Sequence, residues 1–156
     1  MNTQNINSEL YENLEKLAYQ ESKPFCYNCY KVVEKTTCKQ CHSDDNMRIT
    51  QNNGPEYGVD WIIEDLIEEH CEVYRSEDIE GSLADCYEES IQVGWINVNP
   101  IEAIKVLDPT SFSIAKQEYL NSLVEDEQLI ESRNSYYWIH EIEAMLDEKL
   151  NISVGA

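Results

Sequence analysis

Over residues 7–20, Leu10, Leu14 and Leu17 recur with Tyr11 and Ala18 at helical spacing, after Asn7 and Ser8, residue types that cap helix starts. The pattern predicts a short amphipathic helix. Residues 50–58, TQNNGPEYG, have no period and carry Asn-Gly-Pro, so they read as a loop. From Asp60 the pattern sharpens. At about 100° per residue, Ile63, Leu66, Ile67, His70, Val73 and Tyr74 share one face, with Glu64, Asp65, Glu68, Glu69 and Glu72 opposite. This predicts a helix over 60–74 capped by Asp60. Ser82 and Asp85 predict the start of another over 83–93, with Leu83, Cys86, Tyr87 and Ile91 inward and Gly94 as its stop. Asn99-Pro100 is a cap followed by proline at the first helical position, predicting a helix over 100–107 that Asp108-Pro109 ends. Phe112, Ala115, Tyr119 and Leu123 are in register for a helix over 111–125. Trp138, Ile139, Ile142, Met145 and Leu146 are in register for a last one over 136–149. Trp95, Ile96 and Val98 read as a brief strand or a packed loop, and Leu129-Ile130 is too short to type.

The segment between the first two helices carries chemistry. Cys26-x2-Cys29 and Cys38-x2-Cys41 are two hooks separated by eight residues. A two-residue gap lets both thiolates of a hook meet one ion at about 2.3 Å each, and the intervening chain is long enough for a tight hairpin that brings the second hook round. The segment PFCYNCYKVVEKTTCKQCH resembles short zinc ribbons over about residues 24–43, in which two such knuckles sit on facing β-turns. The resemblance implies one structural Zn2+ on Cys26, Cys29, Cys38 and Cys41, because four thiolates close the coordination shell. Ribbons usually place glycine after the second cysteine of each hook. Here Tyr30 and His42 stand there, which leaves the metal assignment intact and the knuckle geometry open. His42 in place of Cys41 is an alternative ligand, and iron takes the same four-thiolate set. Disulfides would need an oxidising compartment, and two hooks together favour metal over a redox pair.

The resulting expectation is a mainly α fold, with a small zinc-ribbon insert joined to an acidic multi-helix domain and at most one short β element beyond the ribbon. Its parts would be an N-terminal helix over 1–20, the ribbon over 21–49 and the acidic helical domain over 58–150.

Charge adds a functional dimension. The 156 residues carry a formal charge of -20. Residues 1–50 hold seven acids against six bases, and the stretch from Asp60 to Glu89 holds twelve acids against Arg75 alone. Direct contact of that region with nucleic acid or anionic lipid is repelled, so the expected partner is a protein with a basic surface, including one that itself binds nucleic acid. Carboxylates four apart on a helix cost about 0.2–0.5 kcal/mol per like-charged pair, more than solubility alone requires. The expected contact set is Trp61, Glu64, Asp65, Glu68, Glu69 and Glu72, with packing of Trp61 under the 50–58 loop as the alternative for that residue. These features lead to an acidic zinc-binding protein-interaction module, similar in charge pattern to DNA-mimic inhibitors. A zinc-ribbon adaptor of transcription or translation, using Lys31, Lys35 and Lys39, is the first alternative. An enzyme with a carboxylate pair is the second.

Other candidates fail on their residues. No GxGxxG or GxxxxGK[ST] occurs among the five glycines. His140-Glu141 begins an HExxH motif whose second histidine is Ala144. The run from Asp78 to Glu89 has the length of a calcium loop but Leu83 at the required glycine. His70 and Cys86 are expected to be core residues, with no catalytic partner. No stretch is apolar enough for a membrane span, and MNTQNINSELYENLEK lacks the regions of a secretory signal, so a cytoplasmic protein is expected.

Overall fold

The computed structural model describes residues 6–35 and 37–151. Residues 1–5 of the predicted N-terminal unit lie outside that range. Six helices and seven strands occur among the described residues, and the strands form three small sheets.

The first helix, α1 (Ser8–Gln20), starts where the Asn7 side chain accepts from the Glu9 N–H, satisfying a donor that the helix start leaves open. The chain then enters β1 (Lys23–Cys26), which pairs antiparallel with both β2 (Lys31–Val32) and β3 (Asn46–Ile49) in the order β2-β1-β3. Arg48 of β3 reaches back to α1. Its guanidinium donates to the Tyr19 and Ser22 carbonyls and to the Ser22 hydroxyl, and lies over the Tyr19 ring. A basic residue of the ribbon thus serves the carbonyl end of a helix, where positive charge is stabilising.

Helix α2 (Asp60–His70) buries Ile62, Ile63, Leu66 and Ile67 against Leu10, Leu14 and Leu17 of α1 and against Ile142, Met145 and Leu146 of α6 (Ile139–Leu150). Tyr11 donates from its hydroxyl to Asp60 at 2.7 Å and so joins the two helices at the α2 start. A second cluster gathers Ile79 of α3 (Ser76–Ala84) with Leu120 and Leu123 of α5 (Pro109–Glu125). The hairpin of β6 (Leu129–Ser132) and β7 (Ser135–Trp138) stands between these clusters. Because side chains alternate along a strand, Leu129 enters the second cluster and Ile130 the first, each almost fully buried. A third cluster packs Leu83, Phe112 and Ile101, the last from α4 (Pro100–Leu107).

The expectation of a mainly α fold with one short β element beyond the ribbon is overturned. Four strands lie beyond it: β6, β7, and the pair β4 (Ile91–Val93) and β5 (Ile96–Val98). Turn chemistry is the reason. Ser132 pairs with Ser135 across Arg133 and Asn134, which sit at φ 50° and 63°, the left-handed values a type I′ hairpin demands. Arg-Asn carries no glycine signal, and Tyr136–Trp138, predicted as the start of a helix over 136–149, belong to β7 instead, with α6 beginning at Ile139. Similarly, Gly94 at φ 62° turns a hairpin and stops no helix, because Val93 pairs with Ile96 across it. The predicted helix over 83–93 is not formed: α3 begins at Ser76, with the Asp78 carboxylate accepting from the Arg75 N–H, and ends at Ala84, while Ile91–Val93 form β4. Helix α2 ends at His70 because Val73 and Tyr74 pair with β7 in strand fashion, and Val59, not Asp60, occupies its cap position. His70 and Cys86, expected in the core, are exposed.

The α4 start agrees with the sequence: Asn99 accepts from the Glu102 N–H with Pro100 at the first turn. Asp108-Pro109, predicted only to end α4, also opens α5 two residues before the predicted start at 111, with Asp108 accepting from the Ser111 N–H. An Asn99→Ala substitution is expected to lower stability by about 1 kcal/mol, read as a shifted urea midpoint with unchanged slope. An unchanged midpoint would mean that the α4 start does not depend on its cap.

Candidate metal centre

The two hooks occupy equivalent turns. Cys26 ends β1, and Tyr30, four residues on, returns its N–H to the Cys26 carbonyl at 2.8 Å. Cys38 and His42 repeat this at 2.9 Å. Tyr30 and His42 lie at φ 57° and 60°, so the left-handed position that ribbons usually fill with glycine is adopted here by two residues with side chains. Such a conformation costs about 1–2 kcal/mol for a residue with a Cβ. At Tyr30 the ring meets Phe25 edge-on at 5.0 Å between centroids, a contact that glycine could not make.

The turns bring the four sulfurs together, all within 4.8 Å of one another. Cys26 Sγ lies 3.6 Å from Cys41 Sγ, and Cys29 Sγ lies 3.8 Å from Cys38 Sγ. A tetrahedron with metal–sulfur bonds of about 2.3 Å has edges of about 3.8 Å, so the arrangement fits a four-thiolate ion such as Zn2+. His42 is not part of this cluster.

The electrostatics agree with the geometry. The backbone N–H groups of Cys41 and Gln40 favour the Cys38 thiolate and bring its pKa down to about 6. The Cys41 sulfur, then burial and the Cys38 sulfur, push Cys29 up to about 12. At Cys26 the Cys29 N–H favours the thiolate, but burial and the neighbouring sulfurs outweigh it and raise the pKa. One thiolate thus opposes the next, and a cation at the centre relieves that opposition.

The sequence-predicted contact residues are brought together differently. On α2, Glu64, Asp65 and Glu68 converge on Arg133 of the β6–β7 turn, at 2.9, 2.7 and 2.9 Å. Burial alone would raise the Glu64 carboxyl, but the positive charge beside it, that of Arg133 included, holds it below the usual range. Arg133 also donates to the Trp61 carbonyl. Trp61 itself is half-buried, with its indole N–H donating to the Gly58 carbonyl at 2.9 Å. The 50–58 loop passes over it at Gly54, where a Cβ would meet both backbone and the Trp61 ring at 3.1–3.3 Å. Glu69 and Glu72 are exposed. The loop and α2 flank an open cleft of about 890 Å³ that Asp65, Glu68, Glu69, His70 and Arg133 help to line. Sequence reasoning missed Arg133, whose only signal was that it is one of five bases beyond residue 50.

No helix among the described residues is long and apolar enough to cross a membrane. In comparisons with protein-family models, curated proteins and solved structures, the chain matches none.

Proposed function

We propose that the chain is a protein-interaction module folded around one structural Zn2+, held by Cys26, Cys29, Cys38 and Cys41, and that its partner presents a basic surface. The observation that carries the metal half is the cluster of four sulfurs at tetrahedral spacing, with no position left for a substrate. The formal charge of -20 supports the basic partner, since electrostatic attraction speeds encounter and excludes like-charged surfaces.

A DNA-mimic role for the α2 row is one finer form of this reading. Its exposed members are Glu68 and Glu69, with Glu72 exposed beyond the α2 end at His70, while Glu64 and Asp65 are largely covered in their pairing with Arg133. The zinc-ribbon adaptor is the other, and the exposed Tyr27, Tyr30 and Val32 beside Lys31 favour it. Affinity capture with the zinc-loaded chain, eluted by a salt gradient, tests the common reading. Prey released by moderate salt supports it, and absence of any specific protein prey overturns it. Glu69→Gln with Glu72→Gln weakens capture if the end of α2 and the segment after it are the contact. Lys31→Gln, Lys35→Gln and Lys39→Gln together weaken it if the ribbon is.

Thiol labelling checks the metal half. Cys86 is exposed, whereas Cys71 is buried and burial pushes its pKa up to about 11. The native chain is expected to show one fast-reacting thiol towards a maleimide and five after chelation, and Cys86→Ser none before chelation. Five fast thiols before chelation would mean that the hooks hold no metal.

A further inference from the structure

Hairpin β4–β5 has an amphipathic pattern whose apolar side is left uncovered, as is its polar side. Residues directly opposite in an antiparallel pair share a face, so Ile91 with Val98 and Val93 with Ile96 form an apolar face, and Gln92 with Asn97 a polar one. Such a face normally packs on a core, and a two-stranded hairpin without that packing is marginal. Here Ile91, Val93 and Ile96 are all exposed, the latter two by 54% and 51%. Trp95 at the turn is 94% exposed. Helix α4, which follows after Asn99, repeats the feature, burying Ile101 and exposing Ile104, Val106 and Leu107.

The flanking charge selects what covers this face. Asp85, Glu88, Glu89, Glu102 and Asp108 surround it in sequence, against Lys105 alone. The Lys105 ammonium is already engaged, 3.1 Å from Glu80 and 3.9 Å from Glu102. A second copy would bring like charges together, on chains that each carry -20. A segment with an apolar side flanked by lysine or arginine meets both features. We infer that the apolar face of hairpin β4–β5, with Trp95 at its tip, docks a basic amphipathic segment of a partner protein. The inference rests on reading the chain as an interaction module and names the surface and partner chemistry of that module.

The test uses the full zinc-loaded chain and three synthetic helical peptides: leucine with lysine, leucine with glutamate, and serine with lysine at the same charge. Binding of the leucine–lysine peptide is expected to shift tryptophan emission to shorter wavelength, and Trp95→Phe removes the shift. Affinity is expected to fall at least tenfold in a Val93→Ser, Ile96→Ser variant and at least tenfold for the serine–lysine peptide, with no binding of the leucine–glutamate peptide. Equal affinity of the variant, or of the serine–lysine peptide, overturns the docking face, since charge alone would then explain binding. Sedimentation of the chain by itself as a dimer, abolished by Trp95→Ser, overturns it in favour of a second copy. Trp95 is so exposed that its replacement leaves the fold intact, which keeps the test valid if the double variant unfolds. If Val93→Ser, Ile96→Ser still captures the salt-released prey, the hairpin proposal falls and the module reading stands. Failure of the wild-type chain to capture any prey removes the module reading, and the peptide titration still judges the hairpin.

Discussion

Replacement of Cys38 by serine is expected to abolish zinc binding and unfold residues 23–49 while the helical body stays folded. The ribbon has almost no apolar core of its own. Its buried cluster is Cys26, Val33 and Cys38 with Cys29 packed against it, so three of the four members are ligands. Structural zinc sites supply about 10–16 kcal/mol of apparent binding energy, far more than the buried Val33 and Phe25 can replace. Chelation of the wild-type chain is expected to do the same. Hydrogen exchange is the measurement: amides of β1 and β3 lose protection, and those of α2 and α6 keep it. Retained protection across β1 and β3 in the metal-free chain would show that Arg48 and its bonds to α1 hold the ribbon, and the metal would then not be structural.

An Arg133→Ala chain is expected to lose about 2 kcal/mol of stability at neutral pH. Breaking a buried ion pair costs about 3–5 kcal/mol because a charge is left unpaired, and the partial exposure of this site reduces that. The Glu64 side chain is 14% exposed and that of Arg133 40%, so the discount is real but incomplete. Without the guanidinium, three carboxylates face one another on one helix side. Arg133→Gly separates two contributions. It also loses the ion pairs, but relieves the left-handed strain at φ 50°, so it is expected to fall short of wild type by about 1 kcal/mol less than alanine does. The pH dependence has a defined sign. The folded Glu64 carboxyl titrates below its ordinary value of 4.5, so its contribution is complete above that value and is lost as pH falls through the lower, folded one. The gap between wild type and Arg133→Ala, measured by urea melts, should therefore close in acid. A gap that persists unchanged at pH 3 would mean that packing of the Arg133 stem, not charge, holds the hairpin to α2.

The same residue shows why part of the fold was not legible in the sequence. A hairpin is signalled by turn residues that accept positive φ, and Arg133-Asn134 offers only Asn134 for that role. What keeps Arg133 in place is Glu64, 69 positions away, together with the adjacent Asp65 and, one turn on, Glu68. The acidic row on α2 was legible as a pattern, but not as the socket for a cation. Trp61 was legible as an aromatic on the polar face with the 50–58 loop as one candidate cover, and only the Gly58 and Gly54 contacts decide for the cover. The misplacement of Cys86 and Ile91 on one inward stripe followed from assuming a single helix over 83–93. Both a helix and a hairpin can place Leu83 and Ile91 on an apolar side, and only the pairing of Ile91 with Val98 decides between them.

The sequence by itself determined what is local. The spacing of Cys26, Cys29, Cys38 and Cys41 sets the sulfurs within reach of one ion, because each hook closes over a single backbone turn. Asn7, Asn99-Pro100 and Asp108-Pro109 set the helix starts, because a cap acts on the N–H two or three residues on. The tertiary structure decided the rest: the three-carboxylate socket of Arg133, the exposure of His70 and Cys86, and the uncovered apolar face of β4–β5. Each depends on which distant segment stands opposite, and side-chain spacing along one element carries no information about that.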